Sequence, residues 1–308
     1  MLVVNSSAAA MNLLDLPDGQ LFRQADYLRS RHFGKSIDLC AIINAKSGNC
    51  GMDCAFCPQS TYHTPTQKNI WKLDPASIAE KILRLEDYPL QHIGIVTSGA
   101  RLGDEELDEL ITVFSTLKPR TLKKICVSLG RLSEACLAEL RKAGIIRYHH
   151  NLESSEKYYP AICSTQTWQE RANTVRLAAK AGLQNCTGAL FGIGESWEDR
   201  ISLAFSLKKL KVKNIPINFL DPQAGTRLAE RKLLTENEAL RIVALFRHIL
   251  PDSTLRICGG RTRIFAGRIS GLIKAGANAL MTGNYLTTGG NSIENDLNEL
   301  ARNGFEAS

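Results

Sequence analysis

No run of about 18 apolar residues occurs in the sequence, so no segment reads as a membrane-spanning helix. The apolar stretch at the N-terminus (MLVVNSSAAAMNLL) lacks a basic flank, which argues against a secretory signal peptide. These absences point to a cytoplasmic protein with no membrane partner. There is no linker rich in Pro, Gly or Ser, no low-complexity tract, and no repeat beyond an alternation of strands and helices. The expected organisation is one domain over residues 1–308, with an N-terminal extension of roughly residues 1–35. Nor does any RNA- or DNA-reading motif accompany the basic residues. Lys and Arg number 38 against 31 Asp and Glu, a net charge of +7. The densest run (Lys208, Lys209, Lys211, Lys213) ends a helical stretch and reads as solvated surface, with no nucleic-acid partner expected.

What is present is an ordinary globular composition, 44% hydrophobic and 22% charged over 308 residues, with length enough for a large core. Nine cysteines stand out against it. Their odd number fits poorly with complete pairing, and in a cytoplasmic chain such usage argues for metal binding or redox chemistry before disulfides.

Short β-branched or apolar runs alternate with longer stretches of helical periodicity. Candidate strands are Asp38–Ile43, His92–Val96, Lys124–Ser128, Arg147–Asn151, Asn185–Phe191, Ile215–Phe219, Leu255–Gly259 and Ala279–Thr282. The helices between them carry end signals. Asp74 precedes Pro75 as an N-cap, Ser133 opens a helix that Gly144 closes, and Thr167/Glu170 and Thr235/Glu238 have capping-box spacing. Eight strand–helix units predict an α/β fold, a (β/α)8 TIM-type barrel, with an open doubly wound sheet as the alternative. In such barrels chemistry gathers at the C-terminal ends of the strands.

The first candidate strand runs into Ala45-Lys46-Ser47-Gly48-Asn49-Cys50-Gly51-Met52-Asp53-Cys54-Ala55-Phe56-Cys57-Pro58. Thiolates at Cys50, Cys54 and Cys57 can converge on one 4Fe-4S cluster without help from a second segment. Three ligands for four irons leave one iron open to chelate a small molecule. Gly48 and Gly51 let the loop wrap closely, and nearby backbone N–H groups can tune the sulfurs. A structural zinc site would need a fourth ligand, and none lies at finger spacing; His63 is six residues past Cys57.

This spacing, placed after the first strand of a barrel pattern, resembles the signature of the radical S-adenosylmethionine (SAM) superfamily. The continuation Cys57-Pro58-Gln59-Ser60 and Tyr62 resembles the biotin synthases within it. The likeness runs from about Gly34 to Thr288. It includes Cys126-Val127-Ser128-Leu129-Gly130, His150-Asn151-Leu152-Glu153-Ser154-Ser155, Cys186 through Glu195, Pro216-Ile217-Asn218, Leu255-Arg256 and Leu286-Thr287-Thr288. Each motif alone is weak, but the ordered set is specific.

The resemblance implies a 4Fe-4S cluster that cleaves SAM to a 5′-deoxyadenosyl radical, dethiobiotin as substrate, and sulfur supplied by an auxiliary iron–sulfur cluster. It further implies a homodimer and an electron donor such as flavodoxin or ferredoxin. For SAM it implies contacts from Tyr62, Asn151, Glu153, Arg171 and the turn Gly192-Ile193-Gly194-Glu195. For substrate it implies Lys46, Asn151, Asn218, Thr287 and Thr288. Read without the family, Arg171 is an exposed helix arginine, Tyr62 a loop aromatic, and the Gly-rich turn plain strand–helix punctuation. Alternation on the fourth strand turns Asn151 and Glu153 the same way. The family usually has Asp where this chain has Glu153.

The auxiliary site departs from the usual pattern of three Cys and one Arg around a 2Fe-2S cluster. Cys126, Cys186 and Arg256 are present, but the remaining position is Thr97, a poor replacement for a thiolate. Two further cysteines, Cys40 and Cys258, fall on candidate strands one and seven. Cys40, Cys126, Cys186 and Cys258 are therefore expected to form a four-thiolate set for an auxiliary cluster of 2Fe-2S or four-iron type, with Arg256 a ligand or a charge partner. Packed core cysteines are the plainer alternative, and it is the one adopted for Cys136 and Cys163. A related radical SAM maturase or mutase is the rival enzyme reading. A non-catalytic metal-binding protein is the rival from another class.

Overall fold

The computed structural model describes residues 4–64, 70–122 and 124–308. Parallel strands β1 (Ser36–Lys46), β2 (His92–Thr97), β3 (Ile125–Ser128), β4 (Arg147–His149) and β5 (Gln184–Cys186) pair in chain order. They are followed by β6 (Ala189–Phe191), β7 (Asn214–Phe219), β8 (Thr254–Ile257) and β9 (Ala279–Met281). Pairing of Asp38, Leu39 and Cys40 with Ala279, Leu280 and Met281 closes the sheet on itself. The fold is a closed barrel of eight parallel strands, so the open-sheet alternative falls.

The alternation of side chains along each strand separates two environments. Leu39, Ile43, Ile93, Ile95, Ile125, Val127, Ile215, Ile217, Leu255 and Ile257 are buried among the surrounding helices. Each such side chain contributes roughly 1.5–3 kcal/mol on burial. Their neighbours Cys40, Ile42, Gly94, Cys126, Pro216 and Arg256 line the interior instead.

The strands differ from expectation in several places, and β8 stops at Ile257, short of Gly259. β1 is longer at both ends than Asp38–Ile43. β4 stops at His149, so Asn151 and Glu153 stand in the loop beyond it, Glu153 with a left-handed φ of 65°. The fifth barrel strand is broken into β5 and β6, and between them Gly188 lies so close to β7 that a Cβ there would sit 1.8 Å from the Pro216 carbonyl oxygen. A short C-terminal strand, β10 (Glu306–Ala307), pairs with the start of β1 and had no signal in the sequence pattern.

Most cap assignments hold. Asp74 Oδ1 accepts from the N–H groups of Ala76 and Ser77, and Ser133 Oγ from Cys136. Thr167 and Glu170 form a full capping box. Thr235 forms half of one, because the Glu238 carboxylate is 2.8 Å from Arg200 Nη1. Ahead of the barrel, helices Ser7–Asn12 and Asp18–Phe33 pack on the helices Trp197–Lys209 and Glu236–Ile249. No helix among the described residues is long and apolar enough to cross a membrane.

Candidate active site

A cavity of about 390 Å3 runs through the barrel interior to the C-terminal strand ends. At its mouth lies the three-cysteine loop. Gly48 (φ 78°) and Asn49 (φ 52°) turn the chain out of β1, and a Cβ on Gly48 would sit 2.7 Å from Ile70 Cγ1. Gly51 has no such constraint, since a Cβ there meets nothing within 4 Å. The loop is then pinned by its own backbone. Cys50 N–H donates to Gln59 O at 3.0 Å, and Cys57 N–H to Cys54 O at 3.1 Å. The Asp53 carboxylate clamps it to the next loop, accepting from Ser164 N and Oγ (2.9 and 2.6 Å) and Thr165 N and Oγ1 (3.1 and 2.9 Å). Those four donors hold the Asp53 pKa below the ordinary carboxylate range, against the opposing effect of burial.

Cys50 and Cys54 are buried, while Cys57 is half-buried and lines the cavity. Burial pushes the Cys57 thiol up to about 11. Cys163, read from the sequence as a plain core residue, has its sulfur 3.9 Å from that of Cys54. Nothing in its loop context signalled that neighbour.

Deeper in the same cavity stand Cys40, Cys126, Cys186 and Cys258, all buried. The β-ladder explains their convergence. Cys40 pairs with His92, Gly94 with Cys126, His149 with Cys186, and Pro216 with Arg256, so inward positions fall at similar heights around the barrel. Burial pushes Cys40 up to about 11 and Cys258 well above the usual thiol value. A hydrogen bond shared between Cys126 and Cys186 pushes the first up and the second down; His149 Nδ1, 3.5 Å from Cys186 Sγ, favours the same outcome. Thr97 also lines the cavity, its hydroxyl 3.4 Å from the Ser128 carbonyl.

Arg256 is occupied below these thiols. Its Nη2 is 2.9 Å from Asp38 Oδ2 as an ion pair, and its Nη1 donates to the Asp38 and Leu280 carbonyls. Burial opposes ionisation of Asp38, yet Arg256 and His92 hold its pKa down at about 2.

The remaining candidates divide. Asn151, Glu153, Asn218, Thr287 and Thr288 all line the cavity. Asn218 on β7 ties the backbone of both neighbouring strands, accepting from Gly259 N–H, just past β8, at 3.0 Å and donating to Ala189 O of β6 at 3.1 Å. Asn151 Oδ1 accepts from Gly188 N–H at 3.0 Å. Burial pushes the Glu153 carboxyl up, despite Arg171 4.0 Å away. Arg171 is half-buried rather than exposed, and donates to the Tyr159 hydroxyl (2.7 Å) and the Asn151 carbonyl (2.9 Å). Lys46 does not line the cavity; its Nζ is paired with both Glu106 oxygens at 2.6 and 2.8 Å. Tyr62 is exposed on the outer side of the loop and is absent from the lining.

The Gly192–Gly194 turn is held from within. Glu195 accepts from the N–H groups of Gly192, Ile193 and Gly194 at 3.0, 2.9 and 3.1 Å and pairs with Arg200. Its carboxylate is thereby committed to the turn.

Among the described residues, no group of three or more His, Cys, Asp and Glu side chains is gathered tightly enough to hold one metal ion. A cluster of several irons spaces its thiolates farther apart than one ion does, so that demand does not apply to it. The donor chemistry fits: thiols alone at the loop, and thiols with arginines behind them in the interior.

Comparison with known proteins agrees. Residues 45–207 match the family described as "Radical SAM superfamily", and residues 216–306 match "Biotin and Thiamin Synthesis associated domain". A methylornithine synthase superposes with a TM-score of 0.82 at 20% identity, covering 98% of this chain and 94% of its own. The FeFe-hydrogenase maturase from Carboxydothermus hydrogenoformans superposes at 0.83 and 19% identity, over 98% of this chain and 76% of its own. At those identities the likeness is one of fold. A barrel of this form with this match makes the chain a member of the radical SAM superfamily.

Sequence relatives narrow it further. The chain is 52% identical to the biotin synthase of Desulfovibrio desulfuricans, over 97% of this chain and 95% of that protein. It is 42% identical to that of Acetivibrio thermocellus, over 94% and 91%. The chain belongs to the biotin synthase family.

Proposed function

We propose that the protein converts dethiobiotin to biotin by SAM-dependent radical insertion of sulfur, using two iron–sulfur groups held by separate cysteine sets. Cys50, Cys54 and Cys57 would hold the four-iron cluster, and Cys40, Cys126, Cys186 and Cys258 the auxiliary one. When bound, these groups supply what the side chains lack: an electron that cleaves SAM into methionine and a radical able to take hydrogen from an unactivated carbon, and a source of sulfur.

The observation that carries this reading is that one cavity is lined by Cys57 at its mouth and by all four interior cysteines below. A small substrate held between them faces both. The chain's own work is to bind, orient and exclude water. Asn218 and Asn151, each fixed by backbone partners, stand ready to hold a ureido ring. Thr287 and Thr288, in a turn closed by the Tyr285 N–H to Thr288 O bond, offer hydroxyls to a carboxylate. Arg171, half-buried beside Glu153, would pair with the SAM carboxylate. Backbone at Gly192–Gly194, shaped by Glu195, serves the rest of SAM. In this reading Arg256 is a charge partner behind the interior thiols, supported by its pairing with Asp38. Cytoplasmic location, a homodimer and a flavodoxin- or ferredoxin-type donor belong to the same proposal by family likeness.

The test is anaerobic reconstitution with iron and sulfide, followed by incubation with dethiobiotin, SAM and reductant. The reading expects both 5′-deoxyadenosine and biotin. Deoxyadenosine without biotin would refute the substrate assignment and favour another small-molecule radical SAM reaction.

A further inference from the structure

The inner face of β4 carries two nitrogen-rich side chains, Arg147 and His149, two residues apart on one strand. Arg147 pairs in register with Cys126 on one side and Gln184 on the other. It lines the cavity, yet the residue is only 8% exposed. Its Nη2 donates to Gln184 Oε1 at 3.0 Å, while its Nε is buried with no hydrogen-bond partner. Buried donors in native proteins are nearly always satisfied, so an orphaned one on a cavity-lining side chain points to something that belongs beside it.

Charge leads the same way. Among the described residues, no carboxylate lies within ion-pair distance of Arg147, whereas the other interior arginine, Arg256, has Asp38. The interior therefore holds one guanidinium without a counter-anion. Thiols are the neighbours it has, and they become anionic when they ligate iron. On the same strand His149 Nδ1 lies 3.5 Å from Cys186 Sγ. A ligated thiolate only accepts hydrogen bonds, so that contact requires the proton on Nδ1.

We propose that Arg147 is a positioning residue for an anionic iron–sulfur group in the barrel interior, its Nε donating to a sulfur of that group and its charge offsetting the thiolates. His149 acts beside it as donor to the Cys186 sulfur. This rests on the four-thiolate reading above. It assigns the β4 wall a role in retaining the group and setting its reduction potential, which rises with nearby positive charge and hydrogen bonds to sulfur.

The experiment compares full-length wild type, Arg147→Gln, Arg147→Lys and Cys258→Ala, each reconstituted anaerobically. The readouts are iron and acid-labile sulfide per chain, the rate of iron loss to a chelator, and the midpoint potential of each cluster. Arg147→Gln is expected to lose interior iron several-fold faster and to shift the interior potential negative, with the loop cluster unaltered. Arg147→Lys is expected to recover part of the potential shift, a rescue that packing alone would not give. Wild-type retention and potential in Arg147→Gln, with interior iron missing from Cys258→Ala, would overturn this inference alone. Full iron content in Cys258→Ala would overturn the four-thiolate reading and this inference with it. Should Arg147→Gln fail to fold, Arg147→Lys decides: faster iron loss supports the role of the Nε donor, and wild-type behaviour in both rate and potential contradicts it.

Discussion

The mouth loop and the barrel interior hold their cysteines by opposite means. Cys50, Cys54 and Cys57 are neighbours in the chain, and short backbone hydrogen bonds within the loop keep them together. Cys40, Cys126 and Cys186 on their strands, and Cys258 directly after β8, are spread over most of the sequence and meet only when the barrel closes with the right register. A slip of one residue in any of those strands would turn its cysteine into the helix layer. The loop is a local device that the fold carries, whereas the interior set is a property of the fold. Their surroundings differ as well: the loop has backbone amides and a solvent edge, while the interior has arginines and deep burial.

That contrast is broken or sharpened by four substitutions. The largest effect is expected from Cys54→Ala, which should abolish both 5′-deoxyadenosine and biotin formation while leaving interior iron in place. Iron and product analysis on one sample would show it, and joint loss of both iron groups would mean the two sets are not independent. Next comes Cys258→Ala, expected to lose interior iron and biotin formation but to keep cleaving SAM; persistence of biotin would remove the interior set from the reaction.

Asn218→Ala should act more weakly and on two quantities at once. Leaving Gly259 N–H and Ala189 O without their partner costs about 1–3 kcal/mol of stability, visible in chemical denaturation. If the amide also holds substrate, dethiobiotin affinity falls by about tenfold or more, which corresponds to ~1.4 kcal/mol, in equilibrium binding. A stability loss with unchanged affinity would confine Asn218 to the scaffold. The smallest effect is expected from Asp53→Ala. It removes the clamp from Ser164 and Thr165, with a cost of ~1 kcal/mol because the residue is only half-buried. Loop iron should leave faster under chelation and interior iron at the wild-type rate.

The same contrast explains what the sequence made legible. The loop could be read because spacing is itself the geometry. Inward positions such as Cys126 and Cys258 were reached by counting strand alternation, and the eight-strand count followed from the regular recurrence of β-branched runs. Alternation failed where strands end early. Asn151 and Glu153 lie beyond β4, and Glu153 takes a left-handed backbone that period-two reasoning does not foresee. Applied one step earlier, the alternation Arg147, His149, Asn151 would have exposed the β4 wall. Pairings across the fold left no local trace. The Lys46–Glu106 ion pair, the Cys54–Cys163 contact and the Asp38–Arg256 pair each join segments far apart in the chain. The hold of Glu195 on its own turn was equally hidden, since nothing in the Gly-rich motif shows that its carboxylate gathers three backbone donors.

The most direct measurement is electron paramagnetic resonance of anaerobically reconstituted, reduced protein with and without SAM, for wild type, Cys54→Ala and Cys258→Ala. The account predicts a cluster signal that changes shape when SAM is added, that survives Cys258→Ala and that is lost in Cys54→Ala. A wild-type signal indifferent to SAM, or one that outlasts Cys54→Ala with its SAM response intact, would contradict it.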